Sequence, residues 1–277
     1  MQSLLLIALL PAAALLFYVW KLDKKEHESA KMIWSLVGLG AASIIPAVIL
    51  ELIFGVVIGV VVPHNTIAYH LVEAFIGVAA VEEGGKYFMT WIRTWKDREF
   101  DYSFDAVVYA VAASLGFAAL ENVLYVIQYG FSTGILRALT AVPGHTIFGI
   151  FMGMYYGLAK REEMFCNTSK KHRYLFLAWF VPMLIHGFYD FCLFMESTLF
   201  TIIFLVFYIA LVVFAFFMVN RLSKMDAPVV AEPVIAGPGA PERLFGQGQQ
   251  NPNDPNYPPY PNQPVYPSYP AYPQNPA

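Results

Sequence analysis

The chain has 277 residues, of which 58% are hydrophobic and only 13% charged, with a mean hydropathy of +0.53 and a formal net charge of -3. A soluble globular protein runs nearer a quarter charged, so that class is excluded. The small net charge gives no case for nucleic acid as a partner or for a basic membrane-surface patch. Two cysteines, Cys166 and Cys192, stand in no metal-ligand spacing and read as free thiols.

A bilayer core needs about 20 mostly apolar residues per helix, and the chain offers seven such spans: Ser3 to Trp20, Met32 to Val62, Ile67 to Ile92, Phe104 to Tyr129, Gly134 to Ala159, Tyr174 to Phe194 and Leu199 to Asn220. The first lacks a basic n-region and its apolar stretch is long for a signal peptide, so it reads as a retained helix. The second is long enough to tilt, or to bend near Pro46. The expected architecture is therefore all-α, a polytopic membrane helical bundle of about seven transmembrane helices. Residues 1–224 form the bundle and 225–277 a separate tail.

Basic residues set the expected orientation. Lys21, Lys24, Lys25 and Lys31 follow the first span, Arg93, Lys96 and Arg98 the third, Lys160 to Arg173 the fifth, and Arg221, Lys224 and Arg243 the last; the alternate loops contain none. By the positive-inside rule the N-terminus lies outside and the C-terminus in the cytoplasm of a multi-pass protein of the cell membrane. From Asp226 onward come fourteen of the nineteen prolines, with repeated Tyr-Pro pairs. Such a segment cannot bury a core and reads as a disordered, partly polyproline-II tail, either a recruiter of a cytoplasmic partner or simply solvated.

No loop is long enough to fold alone, so any chemistry belongs to the bundle. Within the spans lie Glu51, Glu73, Glu82, Glu83, Lys86, Asp105, Glu121, Asn122, Arg137, His145, His186 and Asp190. Each charge at mid-helix costs about 2.5–3.5 kcal/mol, and five or six approach roughly 15 kcal/mol, as much as a domain's net stability. They must meet each other, water or a substrate. Glu82 and Glu83 stand four and three residues before Lys86, so one ammonium can neutralise either carboxylate from the next turn. A carboxylate pair sharing one cation is a way to hold a glutamate ready as a general base. His186 and Asp190, four apart, allow the carboxylate to orient the imidazole. Solitary Glu51 and Glu73 read as facing a wet cavity or an interface end. Asp105 reads as a charge on a helix N-terminus, Arg137 as a counter-ion, and the stripe Gly149, Gly153, Gly157 as helix packing.

Two glutamates, two histidines and an asparagine can activate water and stabilise an oxyanion, directly or through a metal. There is no Gly-x-Ser-x-Gly and no His-Glu-x-x-His. Hydrolysis by activated water is the most economical reading, and proton or ion translocation is its rival.

Five ordered motifs carry a resemblance: Glu82-Glu83-Gly84-Gly85-Lys86-Tyr87, Phe104 to Tyr109, Leu115 to Asn122, Arg137 with Pro143-Gly144-His145 and the glycine run, and His186 to Asp190. In these the chain resembles the PrsW family of intramembrane proteases, similar in turn to the CAAX prenyl proteases and bacteriocin-processing proteases. The resemblance implies a membrane-embedded endopeptidase that makes the first cut in a membrane-spanning regulator such as an anti-sigma factor, in response to envelope stress. Carried over, Glu82 or Glu83 activates water, His145 and His186 position it or bind the oxyanion, and Glu121 with Asn122 completes the site, supported by Lys86, Arg137 and Asp190. The cofactor is either none or a divalent metal such as zinc, for which Glu121, His145 and His186 are the candidate ligands. The Pro/Tyr tail is outside the family pattern. CAAX-type or peptide processing, and a proton-coupled transporter or sensor, remain as alternatives. Glu82 lies about fifteen residues from the outer end of its span, at ~1.5 Å per residue near mid-bilayer, which predicts a water-filled cavity opening outward.

Overall fold

The computed structural model describes residues 2–64 and 66–230. The helices are α1 (Gln2–Leu22), α2 (Ala30–Ala42), α3 (Ile44–Val61), α4 (Ile67–Val72), α5 (Ala80–Thr94), α6 (Asp105–Tyr129), α7 (Phe131–Leu139), α8 (Ala141–Met164), α9 (Thr168–Phe194) and α10 (Thr198–Lys224), with a π-helical segment, Glu73–Ala79, joining α4 to α5. No strand occurs among the described residues, so the protein is an all-α helical bundle. Among the described residues six segments are long and apolar enough to cross a membrane. The seventh predicted span is a continuous helical run, Ile67 to Thr94, whose Glu73, Glu82, Glu83 and Lys86 lower its apolarity. This is a multi-pass membrane protein.

Two of the predicted spans are broken, both by the same device. Pro46 and Pro143 each occupy the third position of a helix, just after the breaks at Ser43 and Thr140. A proline ring collides with the carbonyl four residues earlier, so neither α2 nor α7 can run straight on; within the first turn, however, the missing N–H has no partner to lose. The bend expected near Pro46 thus falls three residues earlier, and the predicted span Gly134 to Ala159 is really two helices. Four other starts are capped by side chains: Ser29 accepts from the Met32 N–H, Thr66 from Tyr69, Asn167 from Lys170 and Ser197 from Phe200.

At the centre stands α6, buried without interruption from Asp105 to Ala118. A helix covered on all sides needs small residues toward its closest neighbours, and α8 supplies them. A methyl group added at Gly153 would lie 2.4 Å from the Val107 Cα, so the glycine stripe of α8 is the seat of α6. α1, α2 and α8 surround α6, and α9 packs on the far side of α8. Outward faces of α3 and α10 are apolar and exposed, as at Leu52, Val56, Val60, Val206 and Phe217, which is what lipid requires.

Of the expected tail, Asp226 to Val229 form a strap. Ser103 N–H donates to the Ala227 carbonyl at 2.9 Å, Val229 N–H to the Asp101 carbonyl at 2.7 Å, and the Asp226 carboxylate accepts from the Phe104 N–H at 2.8 Å. The Tyr-Pro segment lies outside the described residues.

Candidate active site

Five helices bring every ionisable residue singled out by the sequence for a catalytic or supporting role into one network. α5 gives Glu82, Glu83 and Lys86, α6 gives Glu121 and Asn122, α7 gives Arg137, α8 gives His145, and α9 gives His186 and Asp190. The π segment has a role in this convergence. It inserts a wider turn just before α5, a distortion that π segments commonly make beside functional residues. Gly187 lets it approach α9, because a Cβ there would sit 2.6 Å from the Phe75 ring. Trp179 on α9 then donates to the Ala80 carbonyl at 3.1 Å, fastening the first turn of α5 two residues before Glu82.

Lys86 is the hub. Its fully buried ammonium donates to Glu82 Oε2 at 2.9 Å and to Glu83 Oε1 at 2.8 Å, and lies 3.1 Å from His145 Nδ1. An ammonium can only donate, so Nδ1 of His145 accepts and the ring's proton is on Nε2, where it meets Glu121 Oε2 at 3.0 Å. Glu121 is also paired with Arg137 at 2.7 Å, and Arg137 Nε donates to Asn122 Oδ1 at 2.7 Å while its guanidinium lies over the Tyr125 ring. His186 stands between two carboxylates, with Nδ1 2.9 Å from Glu83 Oε1 and Nε2 3.2 Å from Asp190 Oδ2. Both contacts are hydrogen bonds when the ring carries both protons. Phe148 stacks on this ring with centroids 4.6 Å apart.

The two neighbouring glutamates differ. Glu83 is wholly buried, and its Oε2 has no partner. Glu82 lines a cavity of about 570 Å³, as do Glu121, Arg137, His145, His186 and Asp190. The cavity extends to Tyr129, Thr133 and Phe194, all at the end of the bundle whose loops hold no lysine or arginine. Glu51 of α3 faces it too, in keeping with the wet surroundings expected for a solitary acid, whereas Glu73 pairs at the helix start with Tyr69 and His70. Tyr125 and Tyr189 also line it and were not singled out from the sequence, although Tyr125 stands one turn after Glu121.

Residues 28–219 match the PrsW family, described as intramembrane metalloproteases. The chain belongs to the PrsW family. Proteins named Protease PrsW are similar to it along most of their length. That of Oceanobacillus iheyensis is 35% identical over 227 residues, 81% of this chain and 98% of that protein; that of Halalkalibacterium halodurans is 33% identical over 228 residues, 82% and 100%; that of Bacillus subtilis is 31% identical over 193 residues, 70% and 84%. No solved structure matches the chain. Membership of the PrsW family makes the protein a membrane-embedded protease.

The family description implies a metal. The ligand set expected from the sequence, Glu121, His145 and His186, does not converge: both nitrogens of His186 are held by Glu83 and Asp190. The donors that do converge in the site are Glu82, Glu83 and His145. Their common centre is already taken by the Lys86 ammonium, 2.8 to 3.1 Å from an atom of each. A second cation cannot share that point, so these residues as arranged do not fit a metal ion there.

Proposed function

We propose that this PrsW-family chain cleaves a peptide bond of a membrane-protein substrate through a water activated by Glu82, without a metal at the Lys86-centred cluster. The observation that carries the assignment is the contrast between the paired glutamates: Glu82 reaches the cavity, while Glu83 stays behind it, bound to Lys86 and His186. A base must reach the water it deprotonates. Glu82 takes one proton from water, and the oxygen attacks the substrate carbonyl carbon as the carbonyl π pair moves onto oxygen. The guanidinium of Arg137 lines the cavity and supplies the donor for that oxyanion, while His186, both nitrogens held by Glu83 and Asp190, fixes Glu83 behind the base. The protonated Glu82 then gives its proton to the departing amide nitrogen, the C–N bond breaks, and the base is regenerated. His145, held between Lys86 and Glu121, positions both.

The substrate in this reading is a single-pass membrane protein, an anti-sigma factor or similar regulator, cut near its extracytoplasmic juxtamembrane region. The N-terminus lies outside and the C-terminus inside, so the cavity opens outward. Candidate substrates co-expressed in membranes lacking the endogenous protein test the activity: wild type should cut one that well-inserted Glu82→Gln, Glu121→Gln and His186→Ala leave intact. Cutting that persists in Glu82→Gln sinks the base assignment. Cutting by purified protein that a chelator abolishes and zinc restores sinks the metal-free mechanism. A Thr133→Cys variant should react with a membrane-impermeant thiol reagent from outside; labelling only from inside reverses the orientation.

A further inference from the structure

At the opposite end of the bundle, 23–29 link α1 to α2 and pass over the start of α6, and there three carboxylates meet. One oxygen each of Asp23, Glu28 and Asp105 lie within 4.8 Å of one another. Their residues are 1%, 8% and 1% exposed. Among the described residues none of the three has a lysine or arginine within 4 Å. Asp23 is the sharpest anomaly: both of its oxygens are buried and neither makes a hydrogen bond. Its nearest donors, the N–H groups of Lys25 and Glu26, do not reach bonding geometry. The Tyr109 hydroxyl, beside Glu28, donates to the Glu99 carbonyl at 3.0 Å, and the His27 ring, stacked on Trp20 and near enough to Asp23 to favour its charged form, makes neither a hydrogen bond nor an ion pair with it. Asp105 Oδ2 accepts from the N–H groups of Asp101 and Tyr102, so this acid is anchored in place rather than merely balancing a helix dipole.

An unpaired buried carboxylate is costly, and three with oxygens within 4.8 Å of one another are costlier. From this juxtaposition we propose that Asp23, Glu28 and Asp105 bind a hard divalent cation of the magnesium or calcium kind. Oxygen-only donors with no sulfur or imidazole among them select such ions over zinc or copper. The ion would tie the α1–α2 link to the start of α6, beside the strap that Asp226 holds against Phe104. It is separate from the Lys86 cluster, to which none of these residues belongs.

Full-length protein, purified in detergent after chelation, is the test material, with Mg²⁺, Ca²⁺ and Mn²⁺ as probes. Wild type should bind one Mn²⁺, read from the loss of the free-ion EPR signal, and be competed by Mg²⁺ or Ca²⁺. A hundredfold excess of cation over its dissociation constant should raise Tm by roughly 5 °C. Asp23→Asn with Glu28→Gln should lose both effects yet fold without cation, because it removes charge rather than packing. Glu82→Gln, at the other cluster, should keep both. The inference is overturned if Mn²⁺ does not bind, if the double variant binds as wild type does, or if Glu82→Gln abolishes binding. It is equally overturned if wild-type stability depends on pH alone and not on any divalent ion, since the carboxyls would then be neutralised by protons. Burial raises Asp23 and Glu28 above the usual carboxylate range, so that last comparison is run across a range of pH.

Discussion

The two buried acidic clusters of this molecule solve the same electrostatic problem in opposite ways. In the membrane interior, Lys86 stands between Glu82 and Glu83, and Arg137 meets Glu121. At the basic end, Asp23, Glu28 and Asp105 approach each other, and among the described residues no lysine or arginine pairs with them. Hydrocarbon contains no ions to borrow, so a helix that places carboxylates there must bring its own counter-ion. A cluster at the end of the bundle has salt water within reach and can leave the neutralising charge to solution. Self-contained charge is therefore the mark of the site that faces substrate, and incomplete charge the mark of a site that something else completes.

The largest effect that could break this contrast concerns the proposed base. Glu82→Gln keeps the size of the side chain and removes its basicity, and cleavage should fall by ~10²–10⁴-fold, measured by substrate blot at equal enzyme level. Next comes the counter-ion. Lys86→Met leaves Glu82 and Glu83 buried without their ammonium, at a cost of about 3–5 kcal/mol, so the folded yield in detergent should collapse. Adding Glu83→Gln to Lys86→Met should recover much of the fold and none of the activity. Full stability in the single variant would mean that the interior cluster does not depend on its own cation.

What could be read from the sequence follows the same division. The span count, the Glu82/Glu83/Lys86 turn and the His186/Asp190 turn were legible because helical periodicity alone places residues three and four apart on one face. The contacts between helices were not: nothing in the spacing tells which of Glu82 and Glu83 reaches the cavity, since that depends on the phase of α5 after a π turn. Nor could the order of ligands be read, for Lys86 occupies the point where Glu82, Glu83 and His145 converge. The Asp23, Glu28 and Asp105 cluster gave no signal at all. Its members come from one loop and from a helix start 77 residues after Glu28, and they share no periodic pattern. The breaks at Ser43 and Thr140 were half visible, because each proline was plain while the position of the break is set by the carbonyl it displaces.

Packing gives the next smaller effect. Gly153→Ala introduces a methyl 2.4 Å from the Val107 Cα, and backbone cannot yield as a side chain can, so about 1–3 kcal/mol of stability should be lost as α8 is pushed off α6. Since α6 carries Glu121 and α8 carries His145, whose ring nitrogen and carboxylate are 3.0 Å apart, activity should fall with stability. A variant that loses stability but keeps full cleavage would separate the scaffold from the site.

The smallest expected change is the most discriminating. Asp23→Asn, with divalent cations removed, should be neutral or stabilising by up to about 1 kcal/mol, because it deletes a charge that has neither a basic partner nor a hydrogen bond. The interior counterpart, Glu83→Gln, should instead destabilise, since its Oε1 is held by both Lys86 and His186. Thermal unfolding of the two variants with chelator present gives the comparison directly. Opposite signs are what a self-paired cluster and an unpaired one require; the same sign in both would show that the carboxylates at the basic end are satisfied without help.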